Sequence, residues 1–141
     1  MIIMPYKIRE DVATADVAFE AEGKTFEEMC VSAAEATTSI MVNPRTLEDK
    51  KTKSFVVKGD TPEKLLFNFL NEIIYIKDAE LLLFKSFTVK KKGAMLKCTA
   101  KGDKLNFTKQ AHGVDVKAVT YHMFKVKEEK GAWKAFVILD I

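Results

Sequence analysis

The segment that follows Thr61 constrains the fold of this 141-residue chain more than any other. It opens with Thr61-Pro62-Glu63-Lys64, in which a hydroxyl can cap free N–H groups and a proline suits the first helical position. We predict a helix from there to about Ile76, because apolar residues cover more than half of its circumference. A helix this apolar has to be deeply buried, and a β-sheet is the surface expected to cover it. The apolar positions are Leu65, Leu66, Phe69, Leu70, Ile73, Ile74 and Ile76.

Another helix is predicted earlier in the chain, directly after Thr25. The Thr25 hydroxyl can cap the helix and Glu28 can complete a capping box. Apolar residues then recur at three- and four-residue spacing as far as Met41. The helix is expected to end before Asn43-Pro44, because the residue preceding a proline disfavours helical geometry.

Period-two alternation of apolar and polar residues predicts strands elsewhere in the chain. Two strands lie near the start, on either side of a polar turn over residues 10–16, and a short third strand spans Ser54 to Lys58. Four later strands are predicted to form two hairpins, with turns at Lys92-Gly93 and Lys130-Gly131. The hairpin strands are Leu83 to Lys91 with Ala94 to Lys101, and Val116 to Lys127 with Trp133 to Leu139.

This order, ββαβα followed by antiparallel strands, predicts an α+β fold with both helices packed on one face of a sheet. A doubly wound parallel sheet is excluded, because it would need helices between the late strands. No linker, repeat or low-complexity segment interrupts the pattern, so we expect a single domain over residues 1–141.

The composition excludes several functional classes. The net charge of +3, from 23 basic and 20 acidic residues, is too even to indicate nucleic-acid binding by itself. Cys30 and Cys98 have no metal-ligand spacing, and buried free thiols are favoured over a disulfide. No stretch reaches the roughly 18 consecutive apolar residues of a membrane span, and the apolar start runs directly into Pro5. A cytoplasmic location is therefore expected.

The familiar catalytic signatures are also missing from the sequence. The chain has no phosphate-binding glycine loop, nucleophile elbow, HExxH or CxxC motif. His112 and His122 are ten residues apart without an evident third metal ligand. We therefore do not expect the protein to be an enzyme on its own.

Acidic groups at two strand ends are the most unusual feature of the sequence. Asp16 lies between apolar positions near the start of the second strand, where an acid weakens a strand unless something uses it. Asp140-Ile141 follows an apolar run, and if Ile141 is the native terminus it adds an α-carboxylate. The three groups would supply the hard oxygen ligands that Ca²⁺ or Mg²⁺ prefers. Alternatively, Asp16 caps a turn and Asp140-Ile141 is a frayed chain end.

A lysine at the start of a late strand is a further candidate. Val116, Ala118, Thr120 and His122 would share one strand face, with Lys117, Val119 and Tyr121 on the other. Such a lysine can present a mobile cation to a phosphate or carboxylate. It can equally extend its stem along a sheet edge, and periodicity does not separate the two.

These same segments resemble the archease family. Thr14-Ala15-Asp16 followed by a strand and Gly23 is similar to the family's N-terminal HTAD motif. Residues 116–122, VKAVTYH, resemble the VKAxTYH signature, and residues 65–72 resemble the LLxxFLxE helix segment. The terminal Asp140-Ile141 matches a family ending that carries an acid in the last two residues. The resemblance spans nearly the whole chain, in order, and implies an archease-like sandwich.

The resemblance also implies a function. Archeases activate the RtcB-type RNA-splicing ligase by promoting guanylylation of its active-site histidine and multiple turnover in tRNA splicing and RNA repair. Carried over to this chain, the metal ligands are Asp16, Asp140 and the Ile141 carboxylate, with Ca²⁺ as the ion and Mg²⁺ or Mn²⁺ as alternatives. Lys117 matches a functionally required lysine. The expected partners are the ligase, its RNA or tRNA indirectly, and the GTP phosphates in the ligase pocket.

One residue departs from the family motif, and two other functions stay open. Ala13 stands where the family usually has a histidine, and the segment from His112 to Lys117 is slightly shorter than the common form.

The first alternative function is a stand-alone RNA-binding module that uses a late basic hairpin with an exposed Phe87 or Phe107. The second is a small metal-dependent hydrolase. The lysines of that hairpin are Lys90, Lys91, Lys92, Lys97, Lys101 and Lys104.

Overall fold

A computed structural model describes residues 5–9 and 16–141 and contains seven strands, two α-helices and one 3₁₀ turn in that part of the chain. Residues 10–15 of the predicted turn, which include the motif residues Ala13, Thr14 and Ala15, lie outside the described residues, whereas Asp16 already belongs to a strand. The elements are β1 (Tyr6–Arg9), β2 (Asp16–Gly23), α1 (Phe26–Met41), a 3₁₀ turn (Pro44–Thr46), β3 (Lys51–Lys58), α2 (Pro62–Glu80), β4 (Leu82–Lys92), β5 (Met95–Lys104), β6 (Ala118–Glu129) and β7 (Ala132–Asp140).

Both helices begin at the predicted caps. The Thr25 Oγ1 accepts a hydrogen bond of 3.1 Å from the Glu28 N–H, and the Thr61 Oγ1 accepts one of 3.1 Å from the Lys64 N–H. Each bond satisfies a donor that the first helical turn leaves free. The second helix continues beyond the predicted end at Ile76 to Glu80, and this extra turn carries Lys77.

The strands form two antiparallel sheets. One sheet has the order β1-β2-β7-β6 and the other has the order β3-β5-β4. Both helices contact both sheets, because α1 packs against β2 and β4 while α2 packs against β6 and β3. The α+β class with antiparallel strands is confirmed, with the helices placed between two sheets where a single sheet was expected.

The two late hairpins are confirmed. Gly93 and Gly131, with φ of 58° and 77°, occupy their turns in the left-handed region that glycine tolerates at low cost. The strand predicted from Val116 begins instead at Ala118, because Val116 turns inward and is fully buried in the core. Within the described residues, no helix has both the length and the hydropathy needed to cross a membrane.

Candidate functional site at one end of the four-stranded sheet

The two predicted acids meet where β2 begins and β7 ends. Asp16 pairs directly with Asp140, and Asp140 pairs on its other side with Ala118 of β6. Directly opposite residues of an antiparallel pair have Cβ atoms about 5 Å apart on the same face of the sheet. The structure therefore brings the Asp16 and Asp140 carboxylates together, and Ala118 beside them adds only a methyl group.

These carboxylates lie on the sheet face that points away from the helices. Side chains alternate between the two faces along a strand. Phe19 and Val137 face the core, and each is an odd number of residues from the acid in its strand, so Asp16 and Asp140 lie on the other face. The row next to the acids, Ala18 and Ile138, is almost completely buried although it lies outside the main core cluster. The two half-exposed carboxylates thus stand at the rim of an apolar row, where charges are less well solvated than in open water.

Ile141 holds the chain end in place. Its side chain is partly buried and packs against the hydrophobic core. An α-carboxylate on this residue would follow Asp140 directly and lie at the same sheet end. The frayed end considered as an alternative does not fit this packing. We refer to Asp16, Asp140 and the Ile141 carboxylate as the acidic end.

Lys117 reaches the same sheet end through its backbone. Its N–H donates a 2.8 Å hydrogen bond to the carbonyl oxygen of Asp140. Lys117 directly precedes β6, outside its strand alternation, and its side chain is exposed. In the described part of the chain the Lys117 ammonium has no ion-pair partner, so it is available for an external anion.

Helix α2 supports the segment that carries Lys117, which the sequence did not predict. The buried Lys77 Nζ donates 2.7 Å and 2.9 Å hydrogen bonds to the Asp115 Oδ1 and to the Val116 carbonyl oxygen. One turn and a half earlier, the Asn71 Oδ1 accepts a 3.2 Å bond from the Val119 N–H. The only sequence signal for this role was that Lys77 continues the apolar stripe of α2. A lysine in that position normally indicates the end of a helix.

The charge of Lys77 is maintained despite its burial. Burial lowers the pKa of the Lys77 ammonium, but hydrogen bonds and charge interactions with Asp115 and Asp78 outweigh burial and raise that pKa above its ordinary value. The Asp115 side chain remains 71% exposed, so only one partner of this pair is desolvated. The pair therefore tethers the start of β6 to α2 at a modest cost in desolvation.

The pairing of strand β6 with β7 becomes irregular just beyond the acidic end. The register with β7 shifts between Thr120 and Lys125, and Met123 adopts a left-handed backbone with φ of 56°. The Tyr121 ring stacks on the Phe67 ring of α2 at a centroid distance of 3.8 Å, yet Tyr121 is 65% and Met123 63% exposed. Val119 and Tyr121 both contact α2, as their predicted shared face requires, but the prediction that Val116 lies on the opposite face is wrong, because Val116 is buried in the core. Beyond Thr120 the bulge presents an apolar surface to solvent.

The two histidines do not form a metal site together. The His112 Nε2 lies 3.3 Å from the Asn106 carbonyl oxygen and its ring contacts Phe107, whereas His122 is exposed on the bulge. Across residues 5–9 and 16–141 no three His, Cys, Asp or Glu side chains are grouped to hold a metal ion. The acidic end has two such side chains, those of Asp16 and Asp140.

Comparisons with known proteins agree with this architecture. Residues 6–141 match the model of the Archease protein family (MTH1598/TM1083). A protein archease from Pyrococcus abyssi is 38% identical over 133 residues, which are 91% of this chain and 94% of that protein. The solution structure of Methanobacterium thermoautotrophicum protein 1598 has a TM-score of 0.85 and 31% identity, covering 99% of this chain and 100% of the other.

A second solved structure shares the fold at lower identity. It is a crystal structure from Thermotoga maritima described as an archease and possible chaperone, with a TM-score of 0.62, 24% identity, and coverage of 96% of this chain and 98% of the other. The two-sheet α+β fold with both helices between the sheets therefore defines an archease-type structure. The chain belongs to the Archease family.

Proposed function

We propose that this protein is an activating cofactor of an RtcB-type RNA ligase and acts on that enzyme without catalysing a reaction itself. Family membership supports an interaction role, since one solved relative is described as a possible chaperone. The proposed effect is the one that the sequence resemblance implies: faster guanylylation of the ligase histidine, and hence multiple turnover in tRNA splicing and RNA repair. The acidic end would be the part that acts on the ligase.

The observation that carries this proposal is the direct pairing of Asp16 with Asp140. Like charges placed opposite one another in adjacent strands cost roughly 0.2–1 kcal/mol, and two acids are poor strand formers. A site that breaks these local rules is where function is expected. The physical use of two facing carboxylates is to hold a cation.

The donor set suits a hard divalent cation. Asp16, Asp140 and the Ile141 carboxylate supply only oxygen ligands, and the fit favours Ca²⁺, Mg²⁺ or Mn²⁺ over a thiolate- or imidazole-seeking metal. Ca²⁺ takes about six to eight oxygens, so these groups leave coordination positions for water or for oxygens of a partner. A cation whose coordination is only partly filled by this protein could take its remaining ligands from the phosphates of a nucleotide bound in another protein's pocket. A divalent cation there would neutralise phosphate charge.

The surroundings of the acidic end suit insertion into a partner. The exposed Lys117 side chain lies directly before β6 at the same sheet end, and its ammonium can pair with a phosphate or carboxylate. Tyr121 and Met123 provide an exposed apolar contact of the kind enriched at protein interfaces. Lys77 holds this segment against α2, so the contact surface is positioned before the partner arrives.

Ligation turnover tests the proposal. With the cognate ligase limiting and RNA in excess, the protein should raise the number of ligations per ligase, and Asp16→Asn with Asp140→Asn should abolish that increase while circular dichroism shows an intact fold. Glu22→Gln with Lys134→Gln is the matched control, because these residues form another directly paired row of the same two strands. Undiminished turnover with the double aspartate variant would refute the role of the acidic end.

A further inference from the structure

The three-stranded sheet has an outer face that is rich in lysine. The residues of β5 that face the helices are buried, including Leu96, Cys98 and Ala100, so their neighbours in the strand point outward. The register with β3 and β4 adds outward residues from both edge strands. Five exposed lysines share this surface, which we call the lysine face: Lys58, Lys90, Lys92, Lys97 and Lys101.

None of these five lysines is neutralised in the described part of the chain. The ion pairs of the structure involve other lysines, such as Lys53 with Glu80 and Lys127 with Glu129. Subtracting five charges from the net charge of +3 leaves the remainder of the chain at a net −2. Positive charge is thus concentrated on one sheet face, while the acidic end belongs to the other sheet.

Protection of sheet edges does not account for the whole pattern. Lysines on edge strands such as β3 and β4 commonly discourage strands of other molecules from pairing. Lys97 and Lys101, however, lie on the central strand β5, where lysine is a poor strand former. Lys97 also stands directly opposite Lys90, and a like-charge pair in that position destabilises the sheet. The face therefore carries a stability cost that a bound polyanion would offset.

The rest of the face specifies the kind of polyanion. Hydroxyl groups lie between the lysines, and Ser54 and Thr99 hydrogen-bond to one another at 3.3 Å across the strands. Lysines and hydroxyls are the groups that contact phosphate oxygens. Phe87, expected from the sequence as an exposed stacking residue, is instead half-buried against Phe69 and Phe84. Without an aromatic ring, the face suits a phosphate backbone and not unstacked bases.

We propose that the lysine face binds the phosphodiester backbone of a nucleic acid without sequence preference. From strand spacings of about 4.8 Å and rises of about 3.4 Å per residue, the face measures roughly 10 by 20 Å. At about one negative charge per 1.7 Å of axis, 20 Å of duplex carries roughly twelve, so the five cations would neutralise somewhat under half of them. The surface is separate from the acidic end, so it does not depend on the proposed action on a ligase.

Fluorescence anisotropy with the full chain and labelled duplexes tests this inference. RNA and DNA duplexes of roughly 20 base pairs, measured from about 50 to 200 mM KCl, should both bind with an affinity that falls steeply with salt. Changing Lys90, Lys97 and Lys101 to Gln should weaken binding at the lowest salt at least tenfold and reduce the salt slope by up to about 2.7, since each lost phosphate contact contributes about 0.9. The matched control changes the exposed Lys24, Lys109 and Lys130 to Gln and should alter affinity less than threefold.

Three results would overturn the proposal. The first is the absence of binding to either duplex at low salt, and the second is an equal loss of affinity in the two triple variants. The third is that polyglutamate displaces the labelled duplex as effectively as unlabelled duplex does at equal total charge. That result would indicate that the face binds an acidic protein. Ligation turnover stays a separate measurement, because the face variants retain Asp16 and Asp140.

Discussion

Replacing Asp16 by Asn should stabilise the isolated protein even though it removes a functional group. The Asp16 and Asp140 carboxylates are directly paired, with Cβ atoms about 5 Å apart. Two unit charges at this distance repel by about 0.8 kcal/mol in water and by about 3 kcal/mol at an effective dielectric constant of 20. Because both side chains are half-exposed, we expect a gain near 1 kcal/mol. For a chain of this length that corresponds to a rise in Tm of about 3 °C.

A double-mutant cycle in chelator and at low ionic strength measures this repulsion. Asp16→Asn and Asp140→Asn should each stabilise the fold, and the double variant should gain little beyond either single change, because one neutralisation already removes the repulsion. Added Ca²⁺ should raise the Tm of the unchanged protein more than that of any variant, because ligand binding to the native state stabilises it. Glu22→Gln is the control, since Glu22 faces Lys134 and its loss should cost a few tenths of a kcal/mol.

The cycle also has an outcome that contradicts the reasoning. If Asp16→Asn lowers stability in chelator, the carboxylate has a structural partner and the pair is not a strained cation site. Strictly additive effects of the two substitutions would show that the carboxylates do not interact. Stabilisation by Ca²⁺ that is equal in all four proteins would place any ion elsewhere.

Three other perturbations test the fold around the site. Lys77→Met should cost about 1–3 kcal/mol in urea unfolding, because it leaves a buried carbonyl without its donor. Because the pKa of Lys77 is raised in the folded state, its contribution to the free energy of unfolding is complete below about pH 10.4 and is lost as the pH rises further. The difference in unfolding free energy between the unchanged protein and Lys77→Met should therefore shrink above that pH. A difference under about 0.5 kcal/mol at neutral pH would contradict this account. Gly102→Ala should lower the free energy of unfolding by about 3 kcal/mol or more, because the added Cβ would overlap the Leu83 carbonyl oxygen. An unchanged Tm would show that β4 can shift to make room. Cys30 and Cys98 should react with a thiol reagent at pH 8 only after urea unfolds the chain. Burial raises the pKa of both thiols, that of Cys98 to about 12, so little reactive thiolate is present in the folded protein. Rapid labelling of the native protein would contradict this burial.

The sequence alone predicted the elements whose signals act over a few residues. Thr25 and Thr61 predict helix starts because a hydroxyl satisfies an N–H group three residues later. Gly93 and Gly131 predict hairpin turns because glycine tolerates positive φ. The family motifs also directed attention to Asp16, Lys117, Asp140 and the chain end, but as separate positions in the sequence.

Only the tertiary structure decided how these positions relate. The Asp16–Asp140 pairing depends on the β2–β7 register, which packing between distant segments sets. The division into two sheets, the bulge in β6 and the inward Lys77 depend equally on which surfaces the two helices bury. Local propensity and spacing contain no information about such contacts, because their energies arise only after distant segments meet. The sequence by itself therefore determined the helices, the hairpins and the candidate acids, and the folded chain determined that the acids face one another.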